Sequence, residues 1–132
     1  NSKIITSVKK YPSIIFFQKY NKRKIHKLRK LNVKMIRCNK FSNSDFDLRN
    51  ILVKIRKLGF SRVFLETGLT LTTSFLRKNL IDDFKIFISN KKLNKSGSKN
   101  FKSIMRSFFV KKKFEIEKIN LFGDSLISYR MK

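Results

Sequence analysis

Between Ser13 and Ile88, short apolar runs alternate with amphipathic stretches, and that alternation most restricts what the chain can fold into. It argues for an α/β sheet domain. Ile4-Ile5 and Ser13 to Phe17 are β-branched or aromatic runs separated by a turn holding Pro12, and both are predicted to be buried strands. From Asn21 to Leu31 the apolar positions are Ile25, Leu28 and Leu31, one narrow stripe on a highly charged helix. Val33 to Cys38 reads as the next strand. A helix follows from Asp45 to Leu58, where Leu48, Ile51, Leu52, Ile55 and Leu58 form one apolar face. Ser44 is the expected cap, Asp47 suits the positive first turn, and Gly59 is placed to end the helix.

Arg62 to Glu66 then has strand character, and Thr70 to Lys78 helix character with Leu71, Phe75 and Leu76 inward. Phe84 to Ile88 is a further expected strand. Asn90 to Asn100 is polar and is expected to be an exposed loop. At the end, Phe114 and Ile116 alternate with Glu115 and Glu117, and Ile127, Tyr129 and Met131 alternate on a return strand. A two-residue Gly123-Asp124 turn would join them as a β-hairpin. There is no internal repeat.

A chain of 132 residues suits one domain. No apolar run approaches the roughly 20 residues that cross a bilayer. It opens Asn1-Ser2-Lys3-Ile4, without the layout of a signal peptide, so a soluble, cytoplasmic chain with no membrane partner is expected. The formal net charge of +25 invites a nucleic-acid reading. However, the chain has no Ala and no Trp while Lys, Asn, Ile and Phe abound, and those residues have codons rich in A and T. The cations are also spread along most of the chain. Codon bias is therefore preferred over a nucleic-acid partner, because net charge speaks to nonspecific binding rather than to fold.

Cys38 is the single cysteine and His26 the single histidine. An internal disulfide and a multi-cysteine zinc site are excluded, and no metal centre is expected. Cys38 lies in an apolar stretch and reads as a buried, idle thiol. His26 sits among Lys22, Arg23, Lys24 and Lys27 and reads as a solvated helix position.

The most informative stretch is Phe64-Leu65-Glu66-Thr67-Gly68-Leu69-Thr70-Leu71-Thr72-Thr73-Ser74. A strand ending in a carboxylate, a Thr-Gly turn and a helix start follow one another here. Open α/β sheets bind ligands at the carboxyl ends of their strands. A helix start offers unpaired N–H groups and partial positive charge to a phosphate, and a glycine lets a ligand approach the main chain. Thr70, Thr72, Thr73 and Ser74 are candidate hydroxyl donors. On pattern alone the alternative stays open that Gly68 and Thr70 merely satisfy backbone groups in a strand-to-helix turn.

These residues resemble the reductase domain of the bifunctional deaminase-reductase of riboflavin biosynthesis, within the dihydrofolate-reductase-like superfamily. The family pattern is a hydrophobic strand, Glu-Gly-Gly or Glu-Ala-Gly, and a helix running into a phenylalanine or leucine pair. Leu-Val-Asp-Glu and a strand leading into Ala-Pro-Lys follow. Here they correspond to Phe64 to Gly68, Ser74-Phe75-Leu76, Leu80-Ile81-Asp82-Asp83, and the strand before Ser89-Asn90-Lys91. Gly123-Asp124-Ser125-Leu126 is similar to the family's closing Gly-Asp-Asp-Leu. Thr67 stands where the family has Gly or Ala, and Asn90 where it has Pro.

The resemblance implies a mixed, mostly parallel sheet flanked by helices, with a carboxyl-terminal antiparallel hairpin. It implies a single reductase domain over residues 1–132, lacking the family's amino-terminal portion. It also implies an NADPH-dependent oxidoreductase that reduces the ribosyl group of 5-amino-6-(5-phosphoribosylamino)uracil to a ribityl chain. Glu66 would contact this small pyrimidine substrate. The cofactor would lie on Gly68, Leu69, Thr70, Leu71, Thr72, Thr73 and Ser74, and no proton-transferring residue is assigned. A homodimer is implied by family habit. The deaminase half is absent, since one His and one Cys cannot form the His-x-Glu and Pro-Cys-x-x-Cys zinc site. The competing expectations are a basic RNA-binding module around Asn21 to Leu31 and Lys91 to Lys113, a noncatalytic relative, and a reductase for another substrate.

Overall fold

The computed structural model describes residues 3–38, 46–91, 101–119 and 123–132. The chain divides into two compact units, Asn1–Val63 and Phe64–Lys132, each with α and β elements.

The first unit is built around a parallel strand pair. β1 (Ile14–Phe17) and β2 (Lys34–Arg37) run parallel with Ile14 opposite Lys34 and Phe17 opposite Arg37. Helix α2 (Lys22–Lys30) connects them, as a parallel pair requires a crossover. Its charged sequence turns only Ile25 and Leu28 inward. Leu28, Val8 and Val33 form the local core, against which Ile5, Ile15 and Met35 pack. Helix α3 (Leu48–Lys57) completes the unit with Leu48 buried.

Two expectations change here. Ile4-Ile5 is not a strand but part of the short helix α1 (Lys3–Thr6). Its bonds close locally, Ser7 N–H donating to Lys3 O at 3.0 Å and Thr6 Oγ1 to Lys3 O at 3.0 Å. β-branched residues favour a strand only where a neighbouring strand supplies the ladder. The helical boundary at α3 also moves: Asp47 is the N-cap, its carboxylate accepting from Asn50 N–H at 3.1 Å. Ser44, the expected cap, lies outside the described residues.

Helices α2 and α3 end the same way, as does α4 (Leu69–Arg77) of the second unit. Asn32, Gly59 and Asn79, just past the respective ends, have φ of 61°, 95° and 52°. In each, the following N–H reaches back five residues: Val33 to Leu28, Phe60 to Ile55 and Leu80 to Phe75. These left-handed stops satisfy terminal carbonyls that the helix leaves open. Glycine was the expected stop for α3; the two asparagines do the same task.

The second unit carries an antiparallel sheet of order β3-β5-β4, from β3 (Asp83–Ile88), β4 (Phe114–Lys118) and β5 (Ser125–Arg130). Phe84, Tyr129 and Phe114 lie opposite one another along one row of the sheet. Helices α4 and α5 (Phe101–Phe109) contribute to a core of Leu76, Met105 and Met131, joined by Leu69, Ile81, Phe84, Phe108, Phe109 and Tyr129. Ring centroids of Phe109 lie 5.1 Å from Phe84 and 4.4 Å from Tyr129, which is aromatic packing range. The described strand pairs are thus one parallel and two antiparallel.

The Gly123-Asp124 turn is longer than a two-residue loop, since β4 ends at Lys118 and β5 begins at Ser125. Ile119 N–H donates to Asp124 O at 3.1 Å across it. Gly123 has φ of 83°, a conformation that favours glycine. Arg62 to Glu66 forms no strand: it has no ladder partner among the described residues, and Phe64 is 89% exposed. Its strand-forming composition specifies a pleated surface but does not supply the neighbour that would bond it. Of the expected 90–100 loop, residues 92–100 lie outside the described residues.

Candidate active site at the start of α4

Gly68 is the N-cap of α4, with φ −72° and ψ 168°, and no side chain caps the helix. The first intrahelical bond is Thr72 N–H to Gly68 O at 3.2 Å. The amides of Leu69, Thr70 and Leu71 therefore have no acceptor within the helix, and the macrodipole places positive potential beside them. A Cβ built on Gly68 meets nothing within 4 Å, so the approach is open. The glycine is not demanded by backbone conformation, because its φ is negative.

The hydroxyls divide differently from expectation. Thr72 is buried and bonds Thr67, with Oγ1 to Oγ1 at 2.9 Å and Thr72 Oγ1 to Thr67 O at 3.4 Å. Thr73 Oγ1 donates to Leu69 O at 2.7 Å, and Ser74 Oγ to Thr70 O at 3.0 Å. These three serve their own chain, as hydroxyls inside a helix commonly do. Thr70 is exposed at the helix start. Phe75 and Leu76 are buried as expected, whereas Leu71 is 39% exposed and Thr72 takes the inward position instead. Glu66 is exposed on the irregular segment before the turn, two residues ahead of Gly68. Glu66 precedes Gly68 and the helix-start amides in sequence, and among the described residues no hydrogen bond joins its carboxylate to them. Thr72, Thr73 and Ser74 are turned to structural bonds.

The other motif residues have structural work. Asp83 and Arg130 are cross-strand partners with a 3.9 Å ion pair, and Lys132 Nζ lies 2.6 Å from Asp82. Both pairs are exposed and so weakly stabilising. Asn90 N–H donates to the Asp124 carboxylate at 3.3 Å, a bond that proline at position 90 could not make. Asn90 therefore ties the end of β3 to the turn before β5.

Cys38 is buried, as expected, and burial pushes its thiol above the ordinary range, with the nearby Lys54 ammonium opposing and the Asp47 carboxylate reinforcing that rise. His26 is exposed on α2. Among the described residues no group of three or more His, Cys, Asp or Glu could hold a metal ion, and no helix is long and apolar enough to cross a membrane. An open recess of about 600 Å³ in the first unit is lined by residues including Val8, Pro12, Ile14, Lys34 and Phe60. It contains none of the site residues from Glu66 to Ser74.

The fold is that of a pyrimidine-reductase-like α/β protein. A solved structure described as a pyrimidine reductase-like protein from Corynebacterium diphtheriae superposes with a TM-score of 0.61 at 14% identity, over 89% of this chain and 48% of that one. Residues 1–124 match the model of the RibD C-terminal domain, and the chain belongs to that family, the reductase domain of RibD. The riboflavin biosynthesis protein RibD of Aquifex aeolicus is 27% identical over 128 residues, covering 95% of this chain and 33% of that protein. The chain therefore spans about a third of its curated relative and about half of the solved one.

Proposed function

We propose that this chain works as the reductase of a riboflavin pathway, reducing the ribosyl group of 5-amino-6-(5-phosphoribosylamino)uracil to the ribityl chain with NADPH. The observation that carries the reading is the family match over residues 1–124, joined to an uncapped helix start beside Glu66 and Gly68. The residues fit a dinucleotide through their main chain. The N–H groups of Leu69, Thr70 and Leu71 would hold its phosphates, with the Thr70 hydroxyl beside them. Thr72, Thr73 and Ser74 would hold the helix rather than the cofactor. When bound, NADPH supplies the hydride, and one proton completes the reduction. Glu66 would orient the substrate. Hydride transfer needs donor and acceptor held at roughly 3–3.5 Å, so positioning is the main contribution asked of the protein. A homodimer and a cytoplasmic setting belong to this same proposal.

The test is saturable NADPH binding by the wild-type chain and its loss in Gly68→Trp. Open space within 4 Å of the Gly68 Cβ position and a negative φ let a side chain start there without backbone strain. Unchanged NADPH affinity in that variant overturns the site. Binding that falls steeply with salt and ignores Gly68→Trp instead marks polyanion binding by cations such as the exposed Lys and Arg of α2.

A further inference from the structure

The chain enters α4 through Thr67, the residue before the N-cap, and Thr72 lies four positions into the helix. In many helices a pair of apolar side chains at these two positions packs together and fixes the entry angle of the chain. Here both are threonine, and their hydroxyl oxygens are 2.9 Å apart. Either hydroxyl can be the donor of that bond. Thr67 Oγ1 also reaches Gly68 O at 3.4 Å and Thr72 Oγ1 reaches Thr67 O at 3.4 Å, so whichever hydroxyl donates across the pair, the other has a main-chain carbonyl for its proton. Thr72 is buried, and a buried hydroxyl without a partner is costly, so Thr67 also satisfies a group that the fold has already enclosed.

We propose that Thr67 is a positioning residue for the reduction, its hydroxyl stapling the Glu66–Gly68 turn to α4 while leaving the first amides of the helix unclaimed. This inference rests on the site reading above and adds no separate site. A side-chain cap would also fix the turn, but by consuming a helix-start N–H. The Thr67–Thr72 bond fixes it from the side. Glu66 and Gly68 flank Thr67, so the staple holds the proposed substrate contact and the proposed cofactor contact in one geometry.

The test compares Thr67→Ser, Thr67→Val and Thr67→Ala by NADPH titration, with thermal unfolding measured on each. Serine keeps the hydroxyl, valine keeps the shape and alanine keeps neither. We expect Ser within about twofold of wild type, and Val and Ala weakened by about tenfold, the size of one hydrogen bond. Turnover in the full-length protein should show kcat falling in Val and recovering in Ser, which a merely bulky residue would not produce. Wild-type affinity in Val or Ala overturns the inference, as does a loss in Ser as large as that in Val. If Val fails to fold, Ala and Ser decide alone. Absence of NADPH binding by the wild type is a different outcome: it sinks the site reading itself.

Discussion

Helix starts in the two units are finished in opposite ways. In the first unit Asn21 and Asp47 are side-chain caps, accepting from Lys24 N–H at 2.9 Å and Asn50 N–H at 3.1 Å. In the second, α4 begins at Gly68 with no side-chain cap, and its entry is held by the Thr67–Thr72 bond instead. Capping is worth about 1 kcal/mol at a typical helix, so an open start gives up some stability. What it keeps is a set of donors and a positive end that no side chain has consumed. The difference teaches where to look for a ligand: at the helix whose start is fixed without being filled.

The largest expected effect breaks the comparison at its open side. Gly68→Trp should abolish measurable NADPH binding while lowering the unfolding temperature little, because a Cβ there meets nothing within 4 Å and φ is negative. A bulky substitution at Asp47 should do the reverse, costing stability and leaving NADPH affinity alone. Titration and thermal unfolding on the same samples separate the two. If both variants lose only stability, the helix starts are equivalent and the contrast is empty.

Next in size is a contrast between glycines. Gly123 has φ of 83°, and a Cβ there would sit 2.7 Å from Asn90 Nδ2. Gly123→Ala should therefore destabilise by about 1–3 kcal/mol, the usual cost of a strained backbone position. Gly68→Ala has neither a positive φ nor a near neighbour, and should cost less, about 1 kcal/mol or under, from the poorer N-cap that alanine makes. Denaturant midpoints at constant slope measure both. A Gly68→Ala cost as large as that of Gly123→Ala would mean that the glycine is there for the backbone and not for access.

Smaller still is the cap itself. Asp47→Ala should cost about 1 kcal/mol, through loss of the bond to Asn50 N–H. A value near zero would remove the energetic half of the contrast between capped and open starts.

How far these features were legible depends on whether the signal was local. Ile25 and Leu28 in α2, the buried or half-buried apolar face of α3 and the Phe75-Leu76 pair are periodic and settled inward as expected. Leu31, the third member of the expected α2 stripe, is instead 44% exposed just past the helix end. Ile4-Ile5 and Arg62 to Glu66 had strand composition but needed a partner strand, and composition carries no information about partners. Helix α5 went unassigned within a lysine-rich region, although Phe101, Ile104, Met105 and Phe108 recur at helical spacing. At the candidate site, Gly68 at the head of a helix was readable as a turn signal. The fate of the hydroxyls was not. Whether Thr72 faces a ligand or Thr67 depends on the entry angle of the chain, which spacing does not fix. Asn90 shows the same limit, since its N–H meets Asp124 only once β3 and β5 are paired.

The finest test converts the open start into a capped one. Asn at position 68 can place its side-chain oxygen on the amide of Leu71 or Thr70, as Asn21 does on Lys24 at the start of α2. Gly68→Asn should then raise stability by only a few tenths of a kcal/mol, since glycine is itself a tolerable N-cap. The same bond removes an amide from the proposed phosphate contact, so NADPH affinity should fall even as the unfolding temperature rises. Opposite signs in two measurements on one variant are hard to obtain by accident, because general damage lowers both. A rise in stability with unchanged affinity would show that the amides at the head of α4 are spare, and that the cofactor, if held, is held elsewhere.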